Sequence, residues 1–180
     1  DDTVPHPSFV GKTIKKTFFH DDRLGFLSED NVILSKAKSP FDLYAASART
    51  ITAGDPIDVN CASVRPTKLH AILPARQGLT LFSKNAQFLL YSDDGPLTPT
   101  STKIRPISNM EMSDEVDPID VGTHINFISK THNFVRVFAM TTRGLGENPD
   151  ILDIGRVVNE WITIDVDTLI ASIQNEFIAM

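Results

Sequence analysis

The chain has 180 residues, with 17 Lys plus Arg against 23 Asp plus Glu and a formal net charge of −6. At 41% hydrophobic and 22% charged residues it has globular composition, too apolar for intrinsic disorder. The acidic balance excludes a broad nucleic-acid grip, which needs clustered Lys and Arg. The single cysteine, Cys61, excludes a disulfide framework or a multi-cysteine metal site within one chain.

In chain order, the dominant signal is short strands broken by turns. Arg23–Ser28 and Asn31–Ser35 flank Glu29-Asp30 and read as a hairpin. Leu24, Phe26, Val32 and Leu34 are expected to face a sheet core. A turn or short helix is expected over 58–65, stopped by Pro66. His70–Pro74, Gly78–Ser83 and Gln87–Tyr91 form a second set of strands, with Phe82 and Phe88 as core candidates. After the turn Asp93-Asp94-Gly95-Pro96, Lys103–Ile107 reads as a return strand whose Pro106 marks an edge. Thr123–Ile128 and Phe134–Met140 form another hairpin with a polar tip at 129–133. Asn148-Pro149-Asp150 supplies a cap, a first-turn proline and an acid, and Ile151, Ile154, Val158, Trp161 and Ile162 follow at helical spacing. This predicts one main helix near 149–161, after a joint at Gly144-Leu145-Gly146. Strands are expected again at 162–171 and 176–180.

The fold class expected is therefore all-β, mainly antiparallel hairpins, as part of a propeller-like, sandwich or barrel architecture. The pentapeptide Asp-Pro-Ile-Asp-Val occurs at 55–59 and at 117–121, though its flanks do not align. The absence of an initiator Met and the apolar last residues lead us to expect a fragment, 1–180, of a larger polypeptide. Its β-rich region would span 7–140, with the helix and a further β unit over 147–180.

No phosphate loop and no nucleophile elbow is present. His20-Asp21-Asp22 resembles half a metal site but reads better as a polar turn. His124 and His132 could face each other across a hairpin, giving only two ligands. Cys61 has no adjacent base and reads as an inert packing residue. Lys12, Lys15, Lys16 and Arg23 make a modest basic cluster, read as a solvated face. The run Glu111–Asp120 carries five carboxylates in ten residues. Two converging carboxylates could cleave a glycoside, but a solvated acidic loop is the expectation. No catalytic, cofactor-binding or metal-binding residue is assigned, and no cofactor is expected.

Ordered blocks over residues 7–140 carry a resemblance. They are Pro7–Gly11, Asp22–Ser28, Asn31–Ser35, Phe41-Asp42-Leu43-Tyr44, Asp55–Asp58, Leu79–Ser83 with Ala86–Leu90, and the threonine-proline turn Leu97–Ser101. Together they resemble the tail tubular protein B, or nozzle protein, family of short-tailed bacteriophages (podoviruses). Asp22 departs from the Asn often found there, and no family block is recognised beyond residue 140. The resemblance implies a structural virion protein, not an enzyme, with a propeller-like fold. It implies a ring of identical subunits, usually six, forming the distal tail tube through which DNA leaves. Implied partners are an adaptor or gatekeeper tail protein, tail fibres or spikes, transiently passing DNA, and the host surface. The implied location is the phage tail, assembled in the host bacterial cytoplasm. The competing readings are a tail-associated glycan-degrading enzyme, resting on 111–120, and a receptor-binding β module using loops 92–101 and 129–133.

Overall fold

The computed structural model describes all residues except 1–3, 62–66, 94, 143, 145, 158–160, 163 and 173–176. Each run of four consecutive strands closes into its own antiparallel sheet. Sheet 1 holds β1 (Ile14–His20), β2 (Arg23–Ser28), β3 (Asn31–Leu34) and β4 (Ile57–Asn60), in that spatial order. Sheet 2 holds β5 (Leu69–Ala75), β6 (Gly78–Ser83), β7 (Gln87–Ser92) and β8 (Thr102–Ser108). Sheet 3 holds β9 (Ile119–Asp120), β10 (Ile125–Lys130), β11 (Val135–Thr141) and β12 (Asp150–Asp153). A two-stranded ribbon, β13 (Ile170–Ser172) with β14 (Phe177–Ala179), follows. Among the described residues every strand pairing is antiparallel and no barrel closes. The all-β expectation holds.

The sheets stack in chain order around three apolar layers. Leu27, Val32, Leu34 and Ile57 of sheet 1 meet Leu69, Leu81, Phe88 and Leu90 of sheet 2. The other face of sheet 2, with Phe82 and Leu89, meets Ile125, Phe127, Phe138 and Met140 of sheet 3. Ile128, Val135 and Val137 on the far face of sheet 3 join Val166 and Leu169 in a third layer. Sheet 2 is thus covered on both faces, which is why Leu79–Phe82 and Phe88–Leu90 are buried without alternation, Thr80 included. A bulge between Leu69 and Ala71 puts Leu69 and Ile72 on one face and Ala71 on the other.

The predicted strands of sheets 1 to 3 are present, and Lys103–Ile107 is an edge strand as expected. The expected helix at 149–161 is not. Residues 150–153 form β12, pairing Thr141 with Asp150 and Phe138 with Asp153. Ile151 packs on the second layer while Leu152 is 66% exposed, a period of two rather than 3.6. The reason is tertiary: β11 would otherwise leave a row of edge N–H and C=O groups unpaired, and β12 satisfies it. Val158 to Glu160 lie outside the described residues.

The turn or helix expected at 58–65 is displaced for the same reason, since Asp58 and Val59 pair with Ile33 and Val32; residues 62–66 lie outside the described set. The strands expected at 162–171 and 176–180 shorten to β13 and β14. The Asp-Pro-Ile-Asp-Val copies both feed edge strands, but β4 closes its sheet and β9 opens its own. They are not equivalent positions of a repeat.

The core face of β2 is also corrected. Register pairs Leu27 with Val32 and Gly25 with Leu34, placing these in the first layer. Leu24 and Phe26 lie on the opposite, half-buried face, where Phe26 meets the Phe9 ring at 5.5 Å. Phe82 and Phe88 are buried as expected, on opposite faces of sheet 2.

Candidate functional site

The acidic run crosses from β8 to β9 as a strap over one end of the stack. Its backbone is tied to sheets on both sides. Met112 N–H donates to the Lys84 carbonyl at 2.9 Å and Ser113 N–H to the Ile128 carbonyl at 2.8 Å. Gln87 Nε2 donates to the Met110 carbonyl at 3.0 Å. Met112 and Val116 turn inward, into the second and third layers. The strap is therefore partly core, which corrects the solvated-loop expectation.

Three of its five exposed carboxylates each meet a lysine from a different sheet. Asp117 pairs with Lys16 of β1, Asp114 with Lys84 of the β6–β7 turn at 3.7 Å, and Glu115 with Lys130 of β10 at 2.6 Å. These pairs are exposed, so each adds no more than about 1 kcal/mol. Two clefts border the strap. One of about 490 Å³ is lined by Lys15, Lys16, Lys68, His70, Asp114 and Asp117, among others. The second, of about 250 Å³, shares Lys84, Asn85 and Asp114 with the first and reaches Lys130.

His70 sits in the β5 bulge beside the larger cleft, and its Nε2 is buried without a hydrogen-bond partner. Burial holds its imidazole below the ordinary histidine range, against the opposing pull of Asp114 and Asp117. The neutral ring is favoured.

The basic cluster proposed at 12, 15, 16 and 23 is divided. Arg23 is 2% exposed, and its Nη1 donates to the Ser35 and Asp55 carbonyls, both at 2.7 Å. Its Nη2 donates to the Ala53 carbonyl at 2.8 Å, so Arg23 ties down the long loop between β3 and β4. Burial lowers its pKa, opposed by Asp21 and Asp55. In the same loop Asp55 accepts the Thr52 N–H at 2.7 Å, which holds its carboxyl below the usual range. Lys12 pairs with Glu29 at 3.6 Å. Only Lys15 and Lys16 reach the cleft.

Asp21 and Asp22 occupy the β1–β2 turn with φ of 48° and 57°, a hairpin turn with both central residues left-handed. His20 Nε2 lies 3.5 Å from Asp21 Oδ2. Among the described residues no three His, Cys, Asp or Glu side chains are grouped to hold a metal ion. His124 and His132 lie beyond opposite ends of β10 and do not face each other, and His124 Nδ1 instead meets Thr123 Oγ1 at 2.8 Å. Cys61 is buried in the first layer, and burial, with Asp30 nearby, pushes its thiol up to about 12. It is a packing residue in a non-nucleophilic state. Sequence reasoning missed Lys68, Lys84, Lys130 and His70, which lie far apart in the chain. Only the acid run hinted that countercharges had to be assembled somewhere.

Stacked four-stranded antiparallel sheets, crossed at one end by a strap of paired charges, define the class as a layered all-β protein. A family model described as bacteriophage nozzle protein matches residues 1–180. The tail tubular protein gp12 of Escherichia phage T7 is 36% identical over 136 residues, 76% of this chain and 17% of that protein. The chain thus spans less than a fifth of the length of the curated relative it matches. It belongs to the bacteriophage nozzle protein family. The resemblance drawn from the residue blocks is borne out, and it extends beyond residue 140.

Proposed function

We propose that the chain forms part of a ring-shaped nozzle, the distal tube of a short phage tail, through which DNA passes into the host. The observation that carries this reading is the nozzle-family match across residues 1–180. Each sheet is read as a propeller-like blade, since four consecutive antiparallel strands stacked face to face are the unit of that architecture. The subunit contributes no chemistry in this reading. Its partners are copies of itself, six in the ring, an adaptor protein above and fibres or spikes beside it, and it touches the host surface at its tip. Assembly takes place in the host bacterial cytoplasm.

Large uncovered side chains, Phe41 at 91% and Trp161 at 85% exposure, support assembly, because aromatic anchors of this kind carry interface energy. The net charge of −6 supports a conduit that does not hold its cargo. The glycan-cleaving reading loses its motive, because each outward strap carboxylate near 114–117 already has a lysine partner. Electron microscopy of the full-length gene product tests the proposal. A ring with a central pore is expected, and a monodisperse monomer at high concentration would overturn it.

A further inference from the structure

Four elements bring five lysines to one end of the stack. Lys15 and Lys16 come from β1, Lys68 precedes β5, Lys84 stands in the β6–β7 turn and Lys130 ends β10. They border the two clefts, which share Lys84 and Asn85 and form one furrow. Stacked sheets lie about 10 Å apart, so lysines drawn from three consecutive sheets are strung over roughly 20 Å. Such a row matches a linear polyanion better than a single phosphate. The furrow already holds one, since the strap lays Asp114, Glu115 and Asp117 along it and engages Lys84, Lys130 and Lys16. Lys15 and Lys68 line the same furrow with no ionic partner among the described residues.

We propose that the strap is a built-in competitor for nucleic-acid phosphate: its carboxylates occupy a lysine row that would otherwise hold the backbone of double-stranded DNA. The choice of DNA as the polyanion rests on the conduit reading above. In a conduit the device is useful because each phosphate that a lysine neutralises adds salt-dependent affinity, which must be broken as DNA slides. Covering the row with the chain's own acids removes that drag while leaving the lysines to hold three sheets together.

The test is DNA binding by the 180-residue chain, followed by the anisotropy of a short labelled duplex of random sequence. The triple variant Asp114→Asn, Glu115→Gln, Asp117→Asn keeps side-chain shape and uncovers the row. It is expected to bind at least about tenfold more tightly than the parent chain at low salt. Its log K against log salt should be steeper by about 2.7, from about 0.9 for each of three lysines released. Adding Lys16→Gln, Lys84→Gln and Lys130→Gln, the three lysines that the strap variant frees, is expected to abolish the gain. A charge-matched control, Asp22→Asn with Asp165→Asn and Asp167→Asn, is expected to bind as the parent does. Should the triple variant melt early, the three single variants carry the same comparison with one pair removed at a time. A folded strap variant that binds no better than the parent overturns the proposal, as does an equal gain in the charge-matched control. A ring with a pore, seen for the full-length product beside an indifferent strap variant, would leave the conduit reading standing and this inference refuted.

Discussion

Gly78 opens β6 with φ of 143°, and a Cβ built there would lie 2.1 Å from the Leu90 carbonyl oxygen and 3.2 Å from the Tyr91 Cα. Two separate costs therefore fall on Gly78→Ala. The backbone conformation is one that residues with side chains rarely adopt, costing about 1–3 kcal/mol. The clash is with backbone, and specifically with a β7 strand whose Leu90 is paired with Leu79 inside sheet 2. Moving that strand strains a ladder buried on both faces, and one lost buried hydrogen bond costs about 1–3 kcal/mol more. The sum, about 2–6 kcal/mol, is a large share of the ~5–15 kcal/mol that holds a domain together. At about 2–4 °C per kcal/mol for a chain of this size, the melting point should fall by about 4–24 °C. Two sibling substitutions set the scale. Gly25→Ala meets only the far end of the Phe18 ring, 2.2 Å away, and that ring can turn aside at about 1–3 kcal/mol. Gly95→Ala meets nothing within 4 Å and bears only the strain of its φ of 100°. Thermal melts of the three variants should rank Gly78 as the most damaging. A Gly78→Ala protein melting with the Gly95→Ala protein would refute the close approach of β6 to β7.

Phe82→Ala should cost about 3–5 kcal/mol because it empties a fully buried site against Phe127, whereas Phe26→Ala, half-buried against Phe9, should cost no more than about half of that; urea titration of both reads the difference. His70 has a folded pKa depressed by burial, so its contribution is intact above the unfolded value near 6.5 and is lost as pH falls from there through the folded pKa; His70→Gln should flatten that limb of the stability-pH curve. Asp55 is also depressed, chiefly by the Thr52 N–H, so its contribution is present above an unfolded value near 3.9 and lost as pH falls through its folded value; Asp55→Asn should remove that more acidic limb. Cys61 should react with a thiol reagent at pH 8 only as fast as the first layer opens, and labelling of the native protein faster than unfolding would contradict its burial.

The strand framework was legible because turn residues punctuate it and because sheet 2, covered on both faces, is written in apolar runs broken only by Thr80 over Leu79–Phe82 and Phe88–Leu90. The face of β2 was not. Its inward positions are Arg23, Gly25 and Leu27, less apolar as a set than the outward Leu24 and Phe26. The fold makes that face inward by supplying carbonyls for Arg23 and the Phe18 ring over Gly25. The helix at 149–161 failed for a related reason. Ile151 and Ile154 fit helical spacing, yet Ile151 also fits a strand, and the open edge of β11 decided between them. The acid run was visible as charge but not as a strap, since Lys16, Lys84 and Lys130 reach it from three sheets and no local spacing links them.

Sheet 2 also bears on synthesis, because a chain emerges N-terminus first. By residue 108 its four strands are complete and sheet 1 can cover one face. The other face, with Phe82, Leu89 and Ile107, waits for Phe127, Phe138 and Met140. At about 5–20 residues per second that interval is about 2–6 s, spent with a broad apolar surface open to neighbouring nascent chains. One of the waiting sheet's two edges is β8, and it carries Lys103, Arg105 and Pro106. Two charges and a residue with no N–H to donate make that edge a poor template for a stray strand.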